Sequence, residues 1–217
     1  DAFSSIPYEK GARFVALLER TAGRARFDRF MREYIARFRF TSITTEEFLT
    51  FLEERLPGLA AEVGARAWLY EPGLPANAPS FRSARLDGLV ALAAAFPRGD
   101  RPAPAAVAGW SPAEMLVYLQ NLPREIDRDG CAWLDAALGL TGRGNHEILV
   151  EWLTVAAGSD YAPAFPRLRE VLLRVGRMKY LRPLYGALGR PPRTRALARE
   201  VFAEASPCYH QLSRRVA

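Results

Sequence analysis

The sequence predicts an all-α protein of short antiparallel helices, and three features lead to that reading. Apolar residues recur at intervals of three and four, the spacing that lines one face of a helix. Gly and Pro cut the chain into helix-length pieces. No apolar/polar alternation runs beyond four or five residues, so no strand competes. The pieces are joined by turns of two to eight residues, which points to stacked helical hairpins, an α-solenoid-like arrangement without a clean internal repeat.

Residues 8–22 place Phe14, Leu17, Leu18 and Thr21 on one stripe, and residues 26–39 repeat the pattern with Phe27, Phe30, Met31, Tyr34, Ile35 and Phe38. Thr44 and Glu47 have capping-box spacing, with Ile43 and Phe48 placed as a hydrophobic staple. They predict a helix over 45–56, stopped by Pro57-Gly58. Residues 64–80 hold three prolines, two glycines and an exposed-looking Trp68-Leu69-Tyr70, and read as an ordered, non-helical connector. It divides residues 1–63 from residues 81–217. Helices are predicted beyond it over 81–96, 112–122, 130–139, 146–157, 164–175, 180–188, 193–205 and 207–215. Start signals support several of them: Ser111-Pro112 with Glu114, Asn145 before His146, and Ser206-Pro207.

Composition narrows the function. With 217 residues, 49% of them hydrophobic and 25% charged, the chain can bury a sizeable core. Its longest mostly apolar run, Leu89 to Phe96, is far short of the ~20 residues that span a bilayer, so no membrane partner is expected. The net charge of +6 raises nucleic acid as a partner, but the basic residues are scattered among Asp and Glu, which argues against one. All but two of the 30 basic residues, Lys10 and Lys179, are arginine. Two cysteines, Cys131 and Cys208, form no disulfide framework and favour the cytoplasm without fixing the compartment. The chain opens on Asp1 in a stretch that already reads as structured, so a preceding segment is expected.

No catalytic constellation is visible within the chain. His146-Glu147 resembles the start of a zinc-peptidase helix, but the second ligand position, one turn on, is Val150, and His210 is the only other histidine. No metal site is therefore expected here, and His146 reads as a polar residue in a first helical turn. Cys131 lies in a helical pattern and reads as a small core residue. Two segments stand out. FSSIPYEKG sets Tyr8, Glu9 and Lys10 at a helix start, and GRMKYLRP gathers Arg177, Lys179 and Arg182 about a helix-to-helix turn. On the residues alone, Tyr8 reads as a half-buried aromatic and GRMK as a solvated basic corner.

Four motifs, DAFSSIPYEKG, SITTEEF (42–48), AWLYEPGLP (67–75) and GRMKYLRPLY (176–185), together resemble the C-terminal part of the leukotriene A4 hydrolase and aminopeptidase B family of zinc metalloaminopeptidases. The resemblance implies that residues 1–63 are the last helices of a thermolysin-like catalytic domain and residues 81–217 a helical C-terminal domain. It implies a zinc cofactor in the parent enzyme, with its ligands outside this chain, so the isolated chain is expected to be inactive and metal-free. Its partners would be a peptide substrate and the remaining segments of the same protein. By the same resemblance Tyr8 is the catalytic tyrosine that bonds the oxyanion of the tetrahedral intermediate, and Arg177 and Lys179 receive the peptide carboxylate. Phe3 stands where leukotriene A4 hydrolase has a tyrosine, which puts epoxide hydrolysis in doubt. The competing class is a non-enzymatic helical module that binds protein.

Overall fold

The computed structural model describes residues 6–215, and Phe3 lies outside them. The chain divides into two compact units, one ending at Phe81 and one beginning at Arg82. Among the described residues every regular element is helical.

The first unit holds α1 (Ile6–Ala22), α2 (Arg24–Phe38), α3 (Thr45–Arg55), α4 (Leu59–Glu62) and α5 (Ala65–Tyr70). Gly23, at φ 79°, makes the single-residue break between α1 and α2, a conformation that costs an L side chain dearly. The capping box forms: the Glu47 N–H donates to Thr44 Oγ1 at 3.2 Å, and the Thr44 N–H donates to Glu47 Oε2 at 2.7 Å. The core is aromatic, with Phe14 stacked on Trp68 at 5.6 Å and Phe30 against Phe51 at 5.5 Å.

One expectation fails here. Residues 65–70 are helical, and Trp68 is 3% exposed. Gly64, at φ 64°, turns the chain into α5, and the prolines interrupt only from Pro72 onward. Burying the indole against Phe14, with its Nε1–H donating to Asn77 Oδ1 at 3.1 Å, stabilises a helix too short to persist alone.

The second unit holds α6 (Ala84–Ala95), α7 (Pro104–Ala108), α8 (Pro112–Asn121), α9 (Arg128–Leu138), α10 (His146–Gly158), α11 (Phe165–Arg174), α12 (Met178–Leu188), α13 (Thr194–Ala205) and α14 (Gln211–Arg214). Nine of the thirteen residues of α10 are buried, which makes it the central helix, packed against α8, α11 and α12. Its start is capped as expected, the Glu147 N–H donating to Asn145 Oδ1 at 3.0 Å. The turn before it is pinned from both sides, because Thr141 Oγ1 donates to Asp135 Oδ2 at 2.8 Å and accepts from Trp152 Nε1 at 2.9 Å. Cys131 is buried in this core.

The last predicted helix is also corrected. Ser206-Pro207 starts only a three-residue 3-10 turn, the chain extends at Tyr209, and the four-residue α14 follows. Tyr209 breaks the helix because its ring enters the core and its hydroxyl donates to the Leu172 carbonyl at 2.6 Å.

Candidate functional site

The sequence motifs of the first unit meet in space. Lys10 of PYEKG donates to the Glu71 carbonyl at 2.5 Å, and Tyr70 of the former connector donates its hydroxyl to Glu46 of SITTEEF. That bond is the main reason the Tyr70 phenol titrates above its ordinary range. Glu9 is tied to Arg13 at 2.9 Å. Tyr8, between these anchored neighbours, is 80% exposed rather than half-buried, and its hydroxyl has no hydrogen-bond partner among the described residues. The first turn of α1 thus holds a phenol free to donate.

In the second unit, GRMKYLRPLY forms the turn from α11 into α12. Arg177 is the N-cap residue of α12, and its side chain bonds none of the free helix N–H groups. The C-terminal segment holds this turn. Ser213 Oγ donates to the Gly176 carbonyl at 2.9 Å, while the Tyr209 hydroxyl donates to the Leu172 carbonyl in the last turn of α11 and lies 3.1 Å from the Tyr185 hydroxyl.

Arg177 and Lys179 flank one aromatic ring. The Arg177 guanidinium carbon lies 5.3 Å and Lys179 Nζ 5.9 Å from the centroid of Tyr180, on which His146 stacks at 6.3 Å. A third partner, missed from the sequence, is Glu147. Lys179 Nζ donates to both its oxygens, at 2.7 and 2.6 Å, and the Tyr180 hydroxyl donates to Oε1 at 2.8 Å. The Lys179 bond, then the Tyr180 bond, hold the Glu147 carboxyl below the ordinary carboxylate range. The bond to Glu147 foremost, and burial next, push the Tyr180 phenol up. Arg177 forms no ion pair among the described residues, and Glu147 acts on it only as a nearby charge. Glu147 is visible in the sequence only as half of the zinc-motif decoy, 32 residues from Lys179.

Tyr8 belongs to the first unit and the basic pair to the second. Among the described residues no three His, Cys, Asp or Glu side chains come together as a metal-ligand set, so these residues do not fit a zinc site.

Residues 110–217 match the family described as leukotriene A4 hydrolase, C-terminal, and residues 1–67 match the peptidase family M1 domain. The chain belongs to the leukotriene A4 hydrolase group of M1 peptidases. This M1 peptidase chain is 33% identical to leucine aminopeptidase 2 of Yarrowia lipolytica, over 99% of its own length and 35% of that protein. It is 32% identical to leucine aminopeptidase 2 of Pyricularia oryzae, over 100% of its length and 37% of the relative. Its fold is similar to native leukotriene A4 hydrolase from Saccharomyces cerevisiae, with a TM-score of 0.81, 25% identity and coverage of 99% of this chain against 38% of that one. The M1 chain thus spans little more than a third of these relatives. No helix among its described residues is long and apolar enough to cross a membrane.

Proposed function

We propose that the parent protein is an aminopeptidase that removes N-terminal residues from short peptides, and that this chain supplies three of its substrate-facing groups. M1 peptidases are zinc-dependent in general. The described residues supply no ligand set for that metal, so the chemistry assigned to this chain is that of a hydroxyl and two cations. In this reading Tyr8 donates its phenolic proton in a hydrogen bond to the oxyanion that develops on the scissile carbonyl. An interaction realised only in the transition state accelerates the chemical step. Arg177 and Lys179 hold the C-terminal carboxylate of the peptide, the guanidinium as a two-point fork and the ammonium as a point charge.

The observation that supports this best is the asymmetry of the pair. Lys179 is bonded to Glu147, whereas Arg177 is exposed, makes no ion pair or side-chain hydrogen bond among the described residues, and feels Glu147 only as a nearby charge. A guanidinium held over a tyrosine ring at a fixed helix end is ready to take a carboxylate from a ligand. The test is Arg177→Ala in the parent enzyme, assayed on a free-acid tripeptide and on its C-terminal amide. A charge-assisted contact contributes ~1.5–3 kcal/mol, so kcat/KM for the free acid is expected to fall about ten- to a hundredfold, with a smaller loss for the amide. Equal losses on both substrates would remove Arg177 from the binding site.

A further inference from the structure

A second basic feature lies beyond this pair. Residues of α10 and α12, together with the turn before α9, line a cleft of ≈ 380 Å³, a volume in the range of small-ligand sites. Among its lining residues are three arginines, Arg124, Arg182 and Arg190, and one acidic residue, Glu151. Only Arg124 is paired with it, Nη1 donating to Glu151 Oε2 at 2.8 Å. The Arg182 and Arg190 side chains have neither a hydrogen-bond nor an ion-pair partner among the described residues. The cleft therefore carries an excess of two positive charges, while eleven further ion pairs among the described residues join other acidic and basic side chains.

The cleft is also built. The Arg124 carbonyl packs so closely on Gly158 that a Cβ there would lie 2.2 Å from it. Next to it, the Ile126 N–H donates to Ser159 Oγ at 2.9 Å. Arg124 Nη2 donates to the Gln120 carbonyl at 3.3 Å, so both its backbone and its guanidinium are fixed before any ligand arrives. Gly186, within α12, leaves the lining open, since a Cβ at that position would meet nothing within 4 Å.

Two unpaired guanidinium forks beside a fixed third call for a compact ligand with two or more negative charges and several oxygens. A peptide carboxylate, with one charge, satisfies only one fork. Phosphate groups match guanidinium geometry two bonds at a time. We propose that this cleft binds a small phosphate-bearing anion of about the size of pyrophosphate, separately from the carboxylate-receiving pair at Arg177 and Lys179.

The experiment is calorimetric titration of the full chain with inorganic pyrophosphate at fixed ionic strength, with acetate as a singly charged comparison. The expected result is one saturable site for pyrophosphate, weakened about tenfold or more in Arg182→Ala/Arg190→Ala. The control Arg32→Ala/Arg199→Ala removes two exposed arginines from other helices and should bind like the wild type. Gly186→Leu keeps every charge but fills the cleft, so it should also weaken binding. Absence of a saturable site would overturn the proposal, as would equal weakening by both double variants, undiminished binding in the cleft double variant, or acetate binding as tightly as pyrophosphate.

Discussion

Replacing Glu147 by Gln in the parent enzyme tests whether the resting structure already occupies half of the proposed carboxylate site. The substitution keeps the size of the side chain and a hydrogen-bond acceptor for Tyr180 but removes the charge bonded to Lys179 at 2.6 and 2.7 Å. The Lys179 and Glu147 side chains are 56% and 38% exposed, so solvent screens the pair and its coupling is ~0.2–1 kcal/mol. Thermal stability should hardly move. A substrate carboxylate that must share Lys179 with Glu147 forfeits a comparable amount, so the variant should lower KM for a free-acid tripeptide about 1.5- to 5-fold. KM for the amidated peptide should stay put. The sign of the pH dependence follows from the depressed Glu147 pKa. In the unfolded chain a Glu protonates near ~4.3, so the pair contributes above that pH and is lost as pH falls through the lower folded value. Near neutral pH the carboxylate is ionised and competes fully. A higher KM for the free acid, or the same change on both substrates, would show that Glu147 positions Lys179 for the substrate rather than competing with it.

Tyr8→Phe in the parent enzyme should lower kcat about a hundred- to a thousandfold with KM near the wild-type value, read from steady-state kinetics; an unchanged kcat would return Tyr8 to the surface. Gly158→Ala should destabilise the second unit by ~3 kcal/mol or more in urea denaturation, because a Cβ 2.2 Å from the Arg124 carbonyl forces the turn away from α10. In thiol labelling of the native chain, exposed Cys208 should react quickly and Cys131 only after unfolding, since burial removes access and pushes its thiol up to about 11.

The elements legible in the sequence carry their own local signals. α3, α8 and α10 announce their starts through Thr44, Ser111 and Asn145, whose side chains accept from the first turn in the fold as the spacing requires. The short helices α4, α5 and α7 carry no such signal: four to six residues cannot sustain a helix, and α5 exists because Trp68 finds Phe14, more than fifty residues earlier. Tyr209 shows the reverse, a tertiary hydrogen bond to Leu172 interrupting a locally helical run. The site divides along the same line. Tyr8 lies in one motif contiguous in sequence, and Arg177 and Lys179 in another. Glu147 is not marked in that way, because its role depends on α10 and α12 lying side by side.

That packing also bears on why the basic pair stands where it does. The first turn of a helix favours negative charge, yet α12 opens with Arg177 and Lys179 and has no acidic residue in its first turn. Such an arrangement is locally unfavourable, and the fold offsets only part of it. Glu147 comes from the neighbouring helix to Lys179, and the Tyr180 ring lies beneath both cations. The C-terminal segment, through Tyr209 and Ser213, fixes the turn that makes the arrangement persist. Arg177 is left over the ring and in solvent, near the Glu147 charge but in no ion pair. A helix start that gathers positive charge, held from α10 and from the C-terminal segment and with one guanidinium outside any ion pair, suits an incoming carboxylate, which is the role proposed for it in peptide binding.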